Sequence, residues 1–306
     1  MFCQKFTYWI YCTIFSILIS LQLHGSLTPE QVEFFWDNGY LVIEDFLSEE
    51  EINDLLDETT NLVVKCDLET SLTPFNPDVS HSRNKYFIDS ADKISYFFEP
   101  LALDENSNLL LPIENALNKI GHNLHDLNPI FERITYQTKF KEIPRDLGWV
   151  APSVIQSMVI FKQPFVGGAV PCHQDLTFLY TVPNTTLGFW IPLEDATLEN
   201  GCLWVVPGGH ETSLRKRYLK NEESTDTYFT TLDPAPLSEE GMIPVEMKKG
   251  SLILIHSLVP HMSLKNNSQK SRIAYTFHII DRTSDYPMDN WLQRGPQSPL
   301  VPFEIE

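Results

Sequence analysis

Two amphipathic helices near the start, then many short apolar strands broken at glycine, proline and asparagine turns, predict a mainly β protein. The expected form is a double-sheet jelly roll braced by N-terminal helices. The first helix opens at Thr28, an N-cap, with Pro29 at the first helical position and Gln31 at the third. Val32, Phe35 and Trp36 form its apolar stripe, and Asn38-Gly39 stops it. Tyr40–Ile43 reads as a buried strand. Ser48 caps a second helix, from Glu49 to about Val64, with Ile52, Leu55, Leu56 and Leu62 on one side. Residues 67–112, rich in Pro, Asn, Asp and Ser, are expected to be mainly loop, and residues 113–124 helical. Over residues 154–161, Gln156 and Met158 share one face while Ile155 and Val159 share the other, as a strand requires. Further strands are expected near 187–193, 202–206, 243–247, 251–256 and 272–280, separated by turns such as Gly167-Gly168, Pro207-Gly-Gly209 and Lys249-Gly250. Neither a repeat nor a linker interrupts 27–306, so those residues are expected to form one domain after an apolar segment, 1–26.

The balance of 22 basic against 41 acidic residues gives a net charge of −19, which repels phosphate backbones and argues against a nucleic-acid partner. One basic run, residues 214–220, stands out on an expected loop, where it is either a solvated face or a dock for an anionic part of a substrate. The five cysteines, Cys3, Cys12, Cys66, Cys172 and Cys202, show no Cys-x-x-Cys spacing. An odd, scattered set favours a reducing, cytoplasmic setting over a disulfide framework or a thiolate metal site, and Cys172 reads as a packed thiol. Residues 6–23 carry no charge, which sits at the lower limit for a spanning helix. A signal anchor giving membrane association, a signal peptide, and an extension unused in the functional protein all fit this segment. A luminal domain would make Asn184 and Asn266 glycosylation acceptors.

The chemistry centres on His173-Gln174-Asp175. On an extended strand, residues two apart share a face and lie about 7 Å apart, so the imidazole and carboxylate can converge on one metal ion. Alone the spacing is weak. It gains weight from His261, which follows Asp175 by 86 residues, and from Arg272, eleven residues beyond His261 at the start of a strand. Two histidines and a carboxylate form the facial triad of non-haem iron(II) sites, which leaves positions open for a chelating 2-oxo acid and dioxygen. Arg272 can clamp the distal carboxylate of a 2-oxo diacid bidentately, and Ser263 can add a hydroxyl. Arg272, Ala274 and Thr276 share one strand face, as a pocket lining would, while Ile273, Tyr275 and Phe277 share the core face. His256 is the rival third ligand, without a serine and an arginine at the matching offsets. His278 lies about 20 Å along the strand from Arg272, too far to share its clamp. His210 reads as bonding a turn.

The His173–Asp175 motif, the block from Glu194 to His210 ending in Pro-Gly-Gly-His, and His261-x-Ser263 with Arg272 resemble the phytanoyl-CoA dioxygenase family. Residues 161–164, 178–181, 274–278 and 290–293 extend the likeness over about 27–293. The resemblance implies a double-stranded β-helix core, iron(II), and 2-oxoglutarate as co-substrate, with ascorbate as supporting reductant. It places the metal on His173, Asp175 and His261, without further catalytic residues. It places 2-oxoglutarate contacts on Met158, Trp190, Ser263 and Arg272, with Gln174 inside the metal motif. One departure is that a lysine of the family aligns with Asn115, which would weaken co-substrate binding; Lys119 lies close by. The retained Asp175 implies hydroxylation rather than halogenation. The expected activity is hydroxylation of a C–H bond in a small-molecule or lipid substrate, with succinate and carbon dioxide as products. The rivals are a non-catalytic jelly-roll binding module and a structural zinc protein.

Overall fold

The computed structural model describes residues 27–68, 85–106 and 108–304; the apolar segment 6–23 lies outside them. Among the described residues, no helix is long and apolar enough to cross a membrane.

The opening helices form where their caps put them. In α1 (Pro29–Asn38), the Thr28 hydroxyl accepts from the Gln31 backbone N–H and the Gln31 side chain accepts from the Thr28 N–H. Gly39 ends the helix at φ 75°, a left-handed conformation that favours glycine. In α2 (Glu49–Val64), Ser48 and Glu51 make the same reciprocal pair. Glu51 also receives Lys139 Nζ at 2.9 Å, which ties α2 to α6 (Thr138–Asp146). Burial raises the Glu51 carboxyl, but the bonds from Lys139 and Ser48 outweigh it and bring it to about 2. Its stabilising effect is therefore present above pH 4.5 and lost as pH falls toward 2. Thermal melts of Glu51→Gln should lose much of that acid-side slope; a slope identical to wild type would contradict the assignment.

Among the described residues, the β elements form three antiparallel sheets. Seven strands make the major sheet: β1 (Tyr40–Ile43), β2 (Ile94–Phe98), β3 (Leu117–His122), β4 (Pro152–Lys162), β6 (Leu187–Pro192), β11 (Leu252–His256) and β13 (Arg272–Asp281). Their order is β1-β11-β6-β13-β4-β3-β2. The minor sheet is β10-β7-β12-β5, from β5 (Val170–His173), β7 (Leu203–Val205), β10 (Ile243–Val245) and β12 (His261–Ser263). A hairpin of β8 (Lys216–Lys220) and β9 (Thr227–Thr231) stands apart.

Short helices and α6 brace one face of the major sheet. Phe131 of α5 (Pro129–Thr135) lies 5.0 Å from the Tyr275 ring, and Phe140 of α6 lies 5.4 Å from Phe277, which stacks on Phe189 at 4.5 Å. The opposite face meets the minor sheet through an apolar cluster that joins Trp190, Ile253, Ile255 and Ala274 to Leu203, Val205 and Val245. Strand register arranges this inner face in rows: Lys162 and Arg272; Lys119, Ile160 and Ala274; Gly121, Met158, Thr276 and Trp190; Gln156, His278 and Gly188.

Three expectations need correction. Residues 113–124 are not a helix but a 3-10 turn, Ile113–Asn115, followed by β3. Ile113, Leu117, Ile120 and Leu124 mimic a helical stripe, yet pairing with β2 and β4 wins. The stretch 67–112, of which 69–84 and 107 lie outside the described residues, holds besides loop α3 (Lys85–Ile88) and β2, whose aromatic side chains are buried. The basic run belongs mostly to β8, not to a loop. In addition, Asn266 is buried and its amide donates to the carbonyls of Lys162 and Lys270, so it serves as a turn brace.

Candidate active site

Strands β5 and β12 pair with His173 opposite His261, which brings the two imidazoles to a centroid separation of 4.2 Å. β5 ends at His173, and Asp175 opens a 3-10 turn, so its carboxylate swings in between. Asp175 Oδ1 lies 3.5 Å from His173 Nε2 and 3.6 Å from His261 Nε2. The ligating atoms of the three residues all lie within 4.8 Å of one another, an arrangement that can hold one metal ion. The ring orientations fit that use. His173 Nδ1 lies 2.9 Å from the Pro171 carbonyl, and His261 Nδ1 lies 3.0 Å from that of Val259. Each ring thus donates through Nδ1–H and keeps the Nε2 lone pair for a ligand, the usual outer support of a histidine metal site.

The charges agree with the geometry. Burial, with His173 alongside, pushes the His261 imidazole down to about 4, so near pH 7 it is neutral, the form able to ligate a metal. Burial alone would raise the Asp175 carboxyl, but the imidazoles of His261, His278 and His173 outweigh it and hold it well below its ordinary value. Asp175 is therefore held as the carboxylate, the form that can ligate a metal.

A pocket of about 600 Å³, counting the solvent space at its mouth, runs from this triad to Arg272, lined by Met158, Trp190, Ser263 and Thr276 among others. Arg272 is 1% exposed; its guanidinium lies 5.1 Å from the Trp190 ring, and its Nε and Nη1 have no hydrogen-bond partner among the described residues. Burial lowers it to about 10, which leaves it charged. A buried cation with open donors is costly unless an anion meets it. Ser263 and Trp190 flank it as the sequence reading expected. A larger chamber of about 1440 Å³, counting its mouth, opens from the triad toward Gln156, Lys119, Phe178, Tyr218, Phe229 and Trp291.

Gln174 is the expected co-substrate residue that does not line this pocket. It is fully buried, donates to the carbonyls of Leu258 and Ser213, and accepts from the Arg215 N–H. On an extended backbone its side chain faces away from His173 and Asp175, so it ties together the loops behind them. Cys172 is half-buried, and burial pushes its thiol up to about 11. His256 sits in a ring cluster with Trp36 and His210, outside the triad. His210 Nε2 meets the carbonyl of Trp36 at 2.9 Å, a helix residue rather than a turn of its own segment.

Two residues that spacing alone gives no role line the chamber beside the triad, His278 and Lys119. His278 does stand apart from the Arg272 clamp, yet its Nε2 lies 3.2 Å from Asp175 Oδ2. It shares strand parity with Arg272 and Thr276, which was the available signal. Asn115 lies in a surface groove beside Gln163 and Asn200, away from the triad. Lys119, on β3, instead lines the chamber, 5.3 and 5.1 Å from the Phe87 and Phe97 rings.

Fold and site together define the class, that of the 2-oxoglutarate-dependent dioxygenases. The family model described as Phytanoyl-CoA dioxygenase (PhyH) matches residues 35–274, and the chain belongs to that family. It is 43% identical over 273 residues to an Arabidopsis thaliana protein named Phytanoyl-CoA dioxygenase, covering 89% of this chain and 95% of that one. It is 40% identical over 286 residues to the Bos taurus Phytanoyl-CoA dioxygenase domain-containing protein 1, covering 90% and 98%. Among solved structures it is similar to EctD from S. alaskensis with 2-oxoglutarate and 5-hydroxyectoine, with a TM-score of 0.60, 18% identity and 90% of each chain covered. The carbocyclase SnoK from nogalamycin biosynthesis gives a TM-score of 0.59 at 18% identity, covering 90% of this chain and 98% of that one.

Proposed function

We propose that residues 27–306 form an iron(II)- and 2-oxoglutarate-dependent hydroxylase that acts on a C–H bond of a small-molecule or lipid substrate, with succinate and carbon dioxide as products. The observation that carries this reading is the buried, unpartnered edge of Arg272 at the far end of a pocket that begins at the triad. His173, Asp175 and His261 would hold the metal, which supplies dioxygen activation when bound. Arg272 and Ser263 would fix the distal carboxylate of 2-oxoglutarate, while Met158 and Trp190 wall its carbon chain. Gln174 supports the metal motif from behind through its bonds to Ser213 and Leu258. The aromatic wall of the chamber excludes water and presents the substrate to the triad.

The relatives' names include phytanoyl-CoA, whose phosphates would need cations at the chamber mouth. Two cations of the basic run are already engaged: Arg215 pairs with Asp233, and Arg217 pairs with Asp289 at 2.6 Å and stacks 4.2 Å from Tyr180. Lys216 of the same run lines the chamber, 4.2 Å from the Phe229 ring, and is the cation of the run placed to meet an anionic group of the substrate. The purified chain given iron(II), ascorbate and 2-oxoglutarate should release succinate, slowly without substrate, and a chelator should abolish the release. Iron-independent release, or none with iron bound, would overturn the reading.

A further inference from the structure

The two oxygens of Asp175 have different surroundings. Oδ1 faces the imidazoles of His173 and His261 at 3.5 and 3.6 Å, whereas Oδ2 lies 3.2 Å from Nε2 of His278. His278 is 7% exposed, and its Nδ1 is buried with no partner among the described residues. The approach to Asp175 Oδ2 is the polar contact that the ring makes among the described residues, and it favours the tautomer with the proton on Nε2. A second observation comes from the neighbouring strand, where Gly188 pairs with His278. A Cβ at position 188 would stand 3.2 Å from Asp175 Oδ2 and 3.4 Å from the His278 ring. The missing side chain leaves a niche in the sheet floor into which Oδ2 fits.

We propose that His278 is a positioning residue for the metal site: its Nε2–H donates to Asp175 Oδ2 and, with the niche over Gly188, leaves Oδ1 alone facing the metal. A carboxylate free to turn can chelate with both oxygens and take up a position that co-substrate and dioxygen need. Held by one oxygen, it offers a single donor beside the two imidazoles. His278 itself is not among the residues whose ligating atoms cluster within 4.8 Å, so it acts through Asp175. The proposal rests on the reading of the triad as a metal site.

The test uses cobalt(II) in place of iron, because its visible bands report coordination without turnover. The full chain, His278→Leu and His278→Gln are titrated with cobalt(II), and melting temperatures are taken without metal. His278→Leu fills the ring volume without a donor and should lose about 10- to 100-fold in affinity, with altered bands. His278→Gln keeps an N–H donor and should stay within a few-fold of wild type with similar bands. Unchanged affinity and spectrum in His278→Leu, or equal impairment in both variants, would overturn the proposal. Should His278→Leu fail to fold, Gly188→Ala presses on the same oxygen from the other side and should alter the bands; an unaltered spectrum overturns the proposal. Wild-type chain that binds no cobalt(II) would overturn the triad reading along with it, whereas wild-type binding with indifferent variants overturns the His278 role alone.

Discussion

Asp175→Ala should reduce 2-oxoglutarate turnover by roughly 100-fold or more, because it removes the one carboxylate of the proposed triad, set between two imidazoles. The fold should survive the change. His261 is already driven toward its neutral form by burial, so deleting the carboxylate does not strand a fixed charge there. Metal content and succinate release should fall together, while the metal-free melting temperature moves by only a few degrees. His256→Ala is the control, since His256 packs among Trp36, Phe35 and His210 rather than at the triad. Retention of iron and turnover by Asp175→Ala, or their loss in a folded His256→Ala, would refute the assignment of ligands.

Replacement of Arg272 by methionine should raise the concentration of 2-oxoglutarate needed for half-maximal turnover. Truncating one partner of a buried, hydrogen-bonded charge pair costs about 2–4 kcal/mol, roughly 30- to 1000-fold in affinity. The same substitution should leave the ligand-free protein as stable as wild type, or more so, because it removes a buried cation whose Nε and Nη1 lack partners among the described residues. Melting curves with and without 2-oxoglutarate separate the two effects: wild type gains stability from the ligand, and the variant does not. Arg215→Ala is the comparison. Arg215 is engaged with Asp233, Ser213 and Thr212, so its loss should leave the 2-oxoglutarate requirement nearly unchanged. Equal effects of the two substitutions would remove Arg272 from its role.

Much of this architecture is written locally in the chain. Thr28 with Gln31, and Ser48 before the acidic turn at Glu49, mark helix starts because capping is settled within four residues. His173 and Asp175 could be paired from their spacing because the two-residue period of a strand is a local property. Arg272, Ala274 and Thr276 follow the same rule, and so does His278 on the same strand face. The readings that failed depend on partners far away in sequence. β3 has apolar spacing that suits a helix as well as a strand, and its pairing with β2 and β4 decides between them. Gln174 could be placed in the metal motif by position, but its side chain answers to Ser213 and Leu258.

The chain therefore carries its helix boundaries, its strand parities and the chemical identity of the metal triad in short-range patterns. The packing of strands decides which residues of equal parity become neighbours. Register across β5 and β12 sets His173 against His261, and register across β6 and β13 sets Gly188 against His278 under the Asp175 carboxylate. Those distances arise from hydrogen bonding between strands, which joins residues about ninety positions apart and leaves no trace in the spacing along either strand alone.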